Sequence, residues 1–138
     1  MKELSIDIET YSSVNLLKSG VYAYADAPDF TILLFAYAFD NEEVKIVDTA
    51  CGEKIPDGII KALQNKEIIK TAFNANFERT CLKKYLGIDM PPSQWHCTMI
   101  QSAELGLPKS LAGVAKVLGL KEQKDRSGKA CIDYFSKP

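Results

Sequence analysis

Two carboxylates, Asp7 and Glu9, stand two residues apart in the segment Glu3-Leu4-Ser5-Ile6-Asp7-Ile8-Glu9. The strict alternation of this segment is that of a β-strand, so Leu4, Ile6 and Ile8 share one face and Ser5, Asp7 and Glu9 the other. At a rise of about 3.3 Å per residue, the Cα atoms of Asp7 and Glu9 lie about 6.6 Å apart. Like charges held that close in an apolar strand disfavour each other's ionisation. A divalent cation removes the conflict, and hard ions such as Mg²⁺ prefer carboxylate oxygens. The same spacing also suits the solvated acidic face of an edge strand. A third carboxylate, Glu78, sits in Phe73-Asn74-Ala75-Asn76-Phe77-Glu78-Arg79, where a strand gives way to a helix. An acid in the first helical turn is favoured by the helix dipole, whether or not it has a further role. Asn76 can cap that helix, which leaves Asn74 for substrate or loop contacts.

The elements that must position these groups follow from pattern and punctuation. Strands are expected at Glu3–Glu9, Thr31–Phe39, Val44–Asp48, Ile68–Phe73 and Gln94–Cys97. Thr10–Pro28 reads as a long irregular stretch. A helix opens at Pro56-Asp57 with Ile59, Ile60 and Leu63 on one face. The helix after Asn76 turns Phe77, Cys81, Leu82, Tyr85 and Leu86 inward and stops at Gly87. Thr98 caps a helix to Leu105. Ser110 caps another that buries Leu111, Val114, Val117 and Leu118 and stops at Gly119. Lys121–Lys129 reads as loop, and Ala130–Phe135 as the start of one more helix. An antiparallel meander feeding β-α-β units implies an α/β fold, a mixed sheet covered by helices.

With 138 residues, 46% apolar and 25% charged, the chain has the size and composition of one globular domain. No apolar run approaches the roughly 18 residues of a spanning helix, and the opening strand leaves no room for a signal peptide. Cys51, Cys81, Cys97 and Cys131 are far apart with no CxxC pair, which speaks against a disulfide framework or zinc site and for reduced thiols in a cytoplasmic protein. The one histidine, His96, excludes histidine triads and reads as structural beside Trp95. Net charge is −1, so the chain as a whole is not a basic nucleic-acid binder. Residues 1–69 carry 6 Lys and Arg against 12 Asp and Glu, whereas residues 70–138 carry 11 against 6. That split fits an acidic pocket beside a basic surface, but charge scattered over solvated faces is the favoured reading of it.

Together these segments resemble the DEDD (DnaQ-like) 3′→5′ exonucleases. Ile6-Asp7-Ile8-Glu9-Thr10 is similar to the first motif of that family, and Asn74-Ala75-Asn76-Phe77-Glu78 to the second, Asn-x-x-Phe/Tyr-Asp. The resemblance covers the whole chain. It is nearest to the N-terminal exonuclease region of phage and prophage family A DNA polymerases, with Ser5–Asp40 and Cys51-Gly52-Glu53-Lys54-Ile55-Pro56 adding to it. It implies a ribonuclease H-like fold, a mixed five-stranded sheet flanked by helices. It also implies two-metal hydrolysis of phosphodiester bonds at DNA 3′ ends, of the proofreading type. Carried over, Asp7, Glu9 and Glu78 would bind Mg²⁺ or Mn²⁺, with Asp7 as the bridge, and should therefore converge. The backbone amide near Thr10 would meet the terminal sugar. The partners implied are a single-stranded DNA 3′ end and, in a longer form, a polymerase domain.

Two departures from the family pattern stand out. Glu78 replaces the usual Asp, and no third motif, Tyr-x-x-x-Asp or His-x-x-x-x-Asp, follows Ser110. Tyr22 with Asp26 precedes the second motif, and Tyr85 with Asp89 straddles Gly87, so both matches read as coincidence. Residues 1–138 are therefore expected to form a single exonuclease-like domain, incomplete at its C-terminus and of doubtful activity. A catalytically silent nucleic-acid-binding remnant of the same fold is the alternative, and an unrelated α/β domain with a decorative acidic strand is a third reading. Arg79, Lys83 and Lys84 are the nearest candidates for phosphate contacts, together with Asn74. Tyr22 and Tyr24 could stack on bases or simply pack.

Overall fold

A computed structural model describes residues 2–124 and 127–137. Five strands form one sheet in the order β3-β2-β1-β4-β5. Strand β1 (Glu3–Tyr11) lies at its centre, antiparallel to β2 (Thr31–Phe39) and parallel to β4 (Ile69–Ala72). Strand β3 (Lys45–Asp48) extends the antiparallel side, and β5 (Trp95–Cys97) the parallel side. The fold is thus the mixed five-stranded sheet expected from the element order.

Leu4, Ile6 and Ile8 are buried, with Ile32, Phe35, Leu63 and Leu82 among their core companions. Each such aliphatic side chain contributes about 1.5–3 kcal/mol when taken fully out of water. The opposite face of β1 stays polar. Ser5 Oγ meets Thr71 Oγ1 on β4 at 3.1 Å, and Thr71 Oγ1 donates to Glu3 at 3.0 Å. Between Glu9 and Thr10 the register with β2 shifts, since Glu9 faces Leu34 and Thr10 faces Ile32. Leu33 is therefore an extra residue on β2, and such a bulge bends a strand locally.

Several elements differ from the sequence reading. The stretch after Glu9 is not irregular: β1 runs on to Tyr11, and helix α1 (Leu16–Asp26) follows, capped by Asn15 Oδ1 on the Lys18 amide. The α1 pattern is hard to read because Gly20, at φ 81, interrupts the helix. Helix α2 spans Asp57–Gln64, and α3 spans Ala75–Leu86. The residue at the N-cap of α3 is Asn74, in a left-handed conformation, rather than Asn76. Tyr85 is exposed, while Glu78 is buried with Cys81 and Leu82.

Helix α4 (Thr98–Glu104) starts from Cys97, one residue before the expected cap. In α5 (Leu111–Val117) Ser110 does cap, accepting from the Gly113 amide at 3.0 Å. Only Val114 and Ala115 of that helix are buried; Leu111, Val117 and the adjoining Leu118 are exposed. Helix α6 runs Gly128–Phe135. Among the described residues no helix is long and apolar enough to cross a membrane.

Lys70 on β4 is fully buried, at 0% exposure, and its ammonium donates to the Asn65 carbonyl at 2.6 Å and to Gln94 Oε1 at 3.1 Å. It ties the end of α2 to the turn before β5, and burial lowers its pKa. Lys70→Ala is expected to destabilise the fold by about 2–4 kcal/mol, because both acceptors lose their donor and a cavity opens. A urea titration followed by circular dichroism measures this. A loss under about 0.5 kcal/mol would mean the two bonds are surface-like.

Candidate active site

Asp7 projects from the middle of β1 on its polar face, and Glu9 follows on the same face beside the bulge. Asp7 is open to solvent and Glu9 half-buried. Neighbouring atoms strip enough water from both carboxyls to raise their pKa values. For Asp7, the Lys124 charge and a hydrogen bond from the Ile8 amide oppose that rise. For Glu9, the charge of Asp7 adds to the rise and Lys124 opposes it.

Glu78 comes from the first turn of α3, within range of the charges of Asp7 and Glu9. The parallel pairing of β1 with β4 sets the first turn of that helix beside the middle of β1. Glu78 is only 4% exposed, and its Oε2 has no hydrogen-bond partner. Its pKa is raised to about 8, chiefly by burial. A backbone hydrogen bond at Glu78 itself opposes this, and the charges of Asp7, Cys97 and Glu9 add to it. The charges of Asp7 and Glu9 thus act on Glu78, but the expected convergence of the three carboxylates on one ion is not seen among the described residues. As the side chains stand, no three His, Cys, Asp or Glu among the described residues are close enough together to hold an ion. Mutual repulsion works against closer approach, and a cation would reverse it. The donor set suits a hard divalent ion: oxygen ligands throughout, one of them an orphaned buried carboxylate oxygen.

The other candidates sit around this core. Thr10 is buried, with Oγ1 at 2.8 Å from the Tyr24 hydroxyl. Tyr24 is accordingly part of the core, packed against Phe30 and Phe77, and offers no base-stacking face. Asn74 is exposed, and its side chain makes no capping bond. Arg79 is anchored to the Met90 carbonyl at 3.2 Å and to Asn76 Oδ1 at 3.1 Å. Lys83 pairs with Asp89 at 3.6 Å, and Lys84 with Asp26 at 2.7 Å. These three cations line a separate groove between α1 and α3, together with Tyr22. The coincidental Tyr22/Asp26 pair lies in that groove, and so does Asp89.

Two residues near the carboxylates carried no signal in the sequence. Lys124 lies in a polar segment without periodicity, yet its charge acts on both Asp7 and Glu9. Cys97 Sγ accepts the Ala75 amide at 3.4 Å at the start of α3. Burial raises the thiol's pKa, but hydrogen bonds from the amides of Ala75, Ile100, Asn74 and Met99 outweigh it and the net shift is downward.

Residues 1–131 match the sequence profile described as 3′-5′ exonuclease. The chain belongs to that 3′-5′ exonuclease family. Along its whole length this exonuclease chain is 59% identical to a DNA polymerase of Bacillus phage SP02, of which it spans 21%. Among solved structures it is similar to Brucella melitensis NrnC with bound Mg²⁺, at a TM-score of 0.67 and 16% identity, over 91% of this chain and 57% of that one. A Trypanosoma brucei RNase D complex with RNA U12 gives a TM-score of 0.63 and 17% identity, over 94% and 43%. The fold of the exonuclease chain is ribonuclease H-like, as these neighbours have it.

Glu78 makes stability depend on pH with a definite sign. Its folded pKa lies above the ordinary 4.5, so the folded state holds the proton more tightly between pH 4.5 and about 8. Stability should fall as pH rises through that window. Glu78→Gln mimics the protonated form. It should melt within about 2 °C of the parent at pH 5 and clearly higher at pH 8.5, where the parent bears a buried charge. Mg²⁺ should narrow the gap at pH 8.5 by stabilising the parent alone. Equal melting temperatures at both pH values would show that Glu78 is solvated.

Proposed function

We propose that Asp7, Glu9 and Glu78 hold divalent cations, Mg²⁺ or Mn²⁺, and that the chain is the hydrolytic centre of a proofreading-type 3′→5′ exonuclease acting on DNA ends. The observation that carries this reading is the unpartnered, buried carboxyl oxygen of Glu78, on which the charges of Asp7 and Glu9 act. Such a group costs free energy unless a proton or cation satisfies it. The 59% identity to a DNA polymerase favours DNA over RNA. When bound, paired divalent ions activate water and stabilise the leaving oxygen in an in-line phosphoryl displacement.

The chain's own residues do the positioning. Antiparallel pairing with β2 holds Asp7 and Glu9 at fixed spacing on one face, where both would be carboxylate ligands. Glu78 would release its proton as a cation arrives, so ion affinity should rise toward pH 8. The backbone at Thr10 and the exposed Asn74 side chain are the proposed contacts to the terminal nucleotide. Arg79, Lys83 and Lys84 would serve only a strand that passes the α1–α3 groove. Residues 1–138 bring three carboxylates to the site. The fourth, with a Tyr or His to orient the attacking water, would come from polypeptide that follows residue 138 in a longer form.

A missing orienting or general-base group typically lowers a rate about 10²–10⁴-fold, and losses within one site do not simply add. The 138-residue chain should therefore trim a 5′-labelled single strand at least about 10²-fold more slowly than a longer form carrying the third motif. Asp7→Ala should abolish trimming in the longer form. Fast Mg²⁺-dependent trimming by the short chain, lost in Asp7→Ala, would place all the needed groups within residues 1–138. No trimming by either form, and no thermal stabilisation by Mg²⁺ or Mn²⁺, would favour the catalytically silent remnant.

A further inference from the structure

Glu9 also forms part of the wall of a second groove, of about 950 Å³, between the β2–β3 side of the sheet and α6. Its sides are chemically mixed in a particular way. Leu34, Ile132 and Phe135 supply apolar surface, and Lys124 and Lys129 supply two ammonium groups. No hydrogen bond or close ion pair to a described residue holds either lysine. The other carboxylate on the wall, Asp48, already accepts the Cys51 amide at 3.0 Å. Phe135 is largely exposed and packs edge-to-face with Tyr134 at 4.8 Å, which leaves part of its ring open to a planar ligand. Apolar and aromatic walls with flanking cations are what a single nucleic-acid strand requires, with bases against the walls and phosphates toward the ammonium groups.

We propose that this groove is the track along which a single-stranded nucleic acid enters the site, with Lys124 and Lys129 as its phosphate contacts and Phe135 as a base-packing face. The inference rests on the exonuclease reading above, because it takes Glu9 as the end of the track. It shifts the electrostatic footprint from α3 to the segment that leads into α6. Lys83 and Lys84 on α3 are engaged by Asp89 and Asp26, and Arg79 by a carbonyl and an amide oxygen, so their charge is partly spent within the protein. Lys124 is placed differently. It moderates the repulsion of Asp7 and Glu9 in the free protein and would turn to a phosphate when a strand arrives.

Binding of fluorescein-labelled oligo(dT) to the full 138-residue chain, read by anisotropy in EDTA over a range of salt, tests this. Lys124→Ala with Lys129→Ala should weaken binding roughly tenfold at moderate salt. It should also reduce the magnitude of the slope of log K against log salt by about 1.4, at about 0.7 per phosphate contact on a single strand. A charge-matched control, Lys18→Ala with Lys61→Ala on α1 and α2, should leave the slope within about 0.3 of the parent. If the parent binds and the groove pair leaves slope and affinity unchanged, the track is elsewhere and the exonuclease reading stands. If the parent shows no salt-dependent binding, the nucleic-acid reading itself fails and takes the track with it. If the groove substitutions instead convert a dimer to a monomer in sedimentation, the groove joins two copies of the chain and the proposal is overturned.

Discussion

Strand β1 is hydrogen-bonded on both edges, and the rest of the site depends on that double pairing. A strand held antiparallel to β2 and parallel to β4 cannot slip by one residue without exchanging its two faces. Slippage would expose Leu4, Ile6 and Ile8 and bury two carboxylates, which is prohibitive on both counts. The apolar face thus locks the position of the acidic one. The parallel partner β4 leads directly into α3, so the turn at Asn74 brings Glu78 within range of the charges of Asp7 and Glu9. Backbone geometry, through the left-handed Asn74, completes that delivery.

The charge arrangement is costly by itself, and the cost is localised. Glu78 is buried without a partner for one oxygen, and the charge of Asp7 adds to the burden on Glu9. Several other buried polar groups are satisfied: Lys70 has two acceptors, Thr10 has Tyr24, and Ser12 Oγ donates to the Tyr24 carbonyl at 2.8 Å, whereas Thr80 Oγ1 on α3, like Glu78 Oε2, has no partner. Glu78 differs from Thr80 in that its unmet atom is a carboxyl oxygen on which the charges of Asp7 and Glu9 act. Lys124 offsets part of the repulsion from outside the sheet, without closing the face against a ligand.

The two grooves differ in what their charges are doing. Between α1 and α3, basic residues are tied to Asp26, Asp89 and the Met90 carbonyl, which fastens α3 to its surroundings. Beside Glu9, the bulge at Leu33 and the exposed side of α6 leave apolar surface and two lysines without such ties. Local charge density in the sequence is similar in both places. In the second, neither lysine has a hydrogen bond or close ion pair to a described residue, and their charges act at longer range on Asp7, Glu9 and Asp133.

Much was legible in the residues themselves. The period-two alternation of Glu3–Glu9 specified which side chains share a face, because strand geometry leaves no alternative. The order of strands and helices specified a mixed sheet, and the two acidic motifs in sequence pointed to the exonuclease family. The irregular reading of the segment after Thr10 failed because Gly20 breaks the helical period of α1 at a positive φ. The inward face of α5 was overestimated because a short amphipathic pattern does not say whether a neighbour covers it; Leu111 and Val117 find none among the described residues. Tyr24 as core, Cys97 at the start of α3 and Lys124 beside Asp7 and Glu9 were decided only by the tertiary structure. Each depends on segments distant in sequence meeting across the sheet. Local propensity carries no information about such a meeting, whereas burial and Coulomb interaction are set entirely by it.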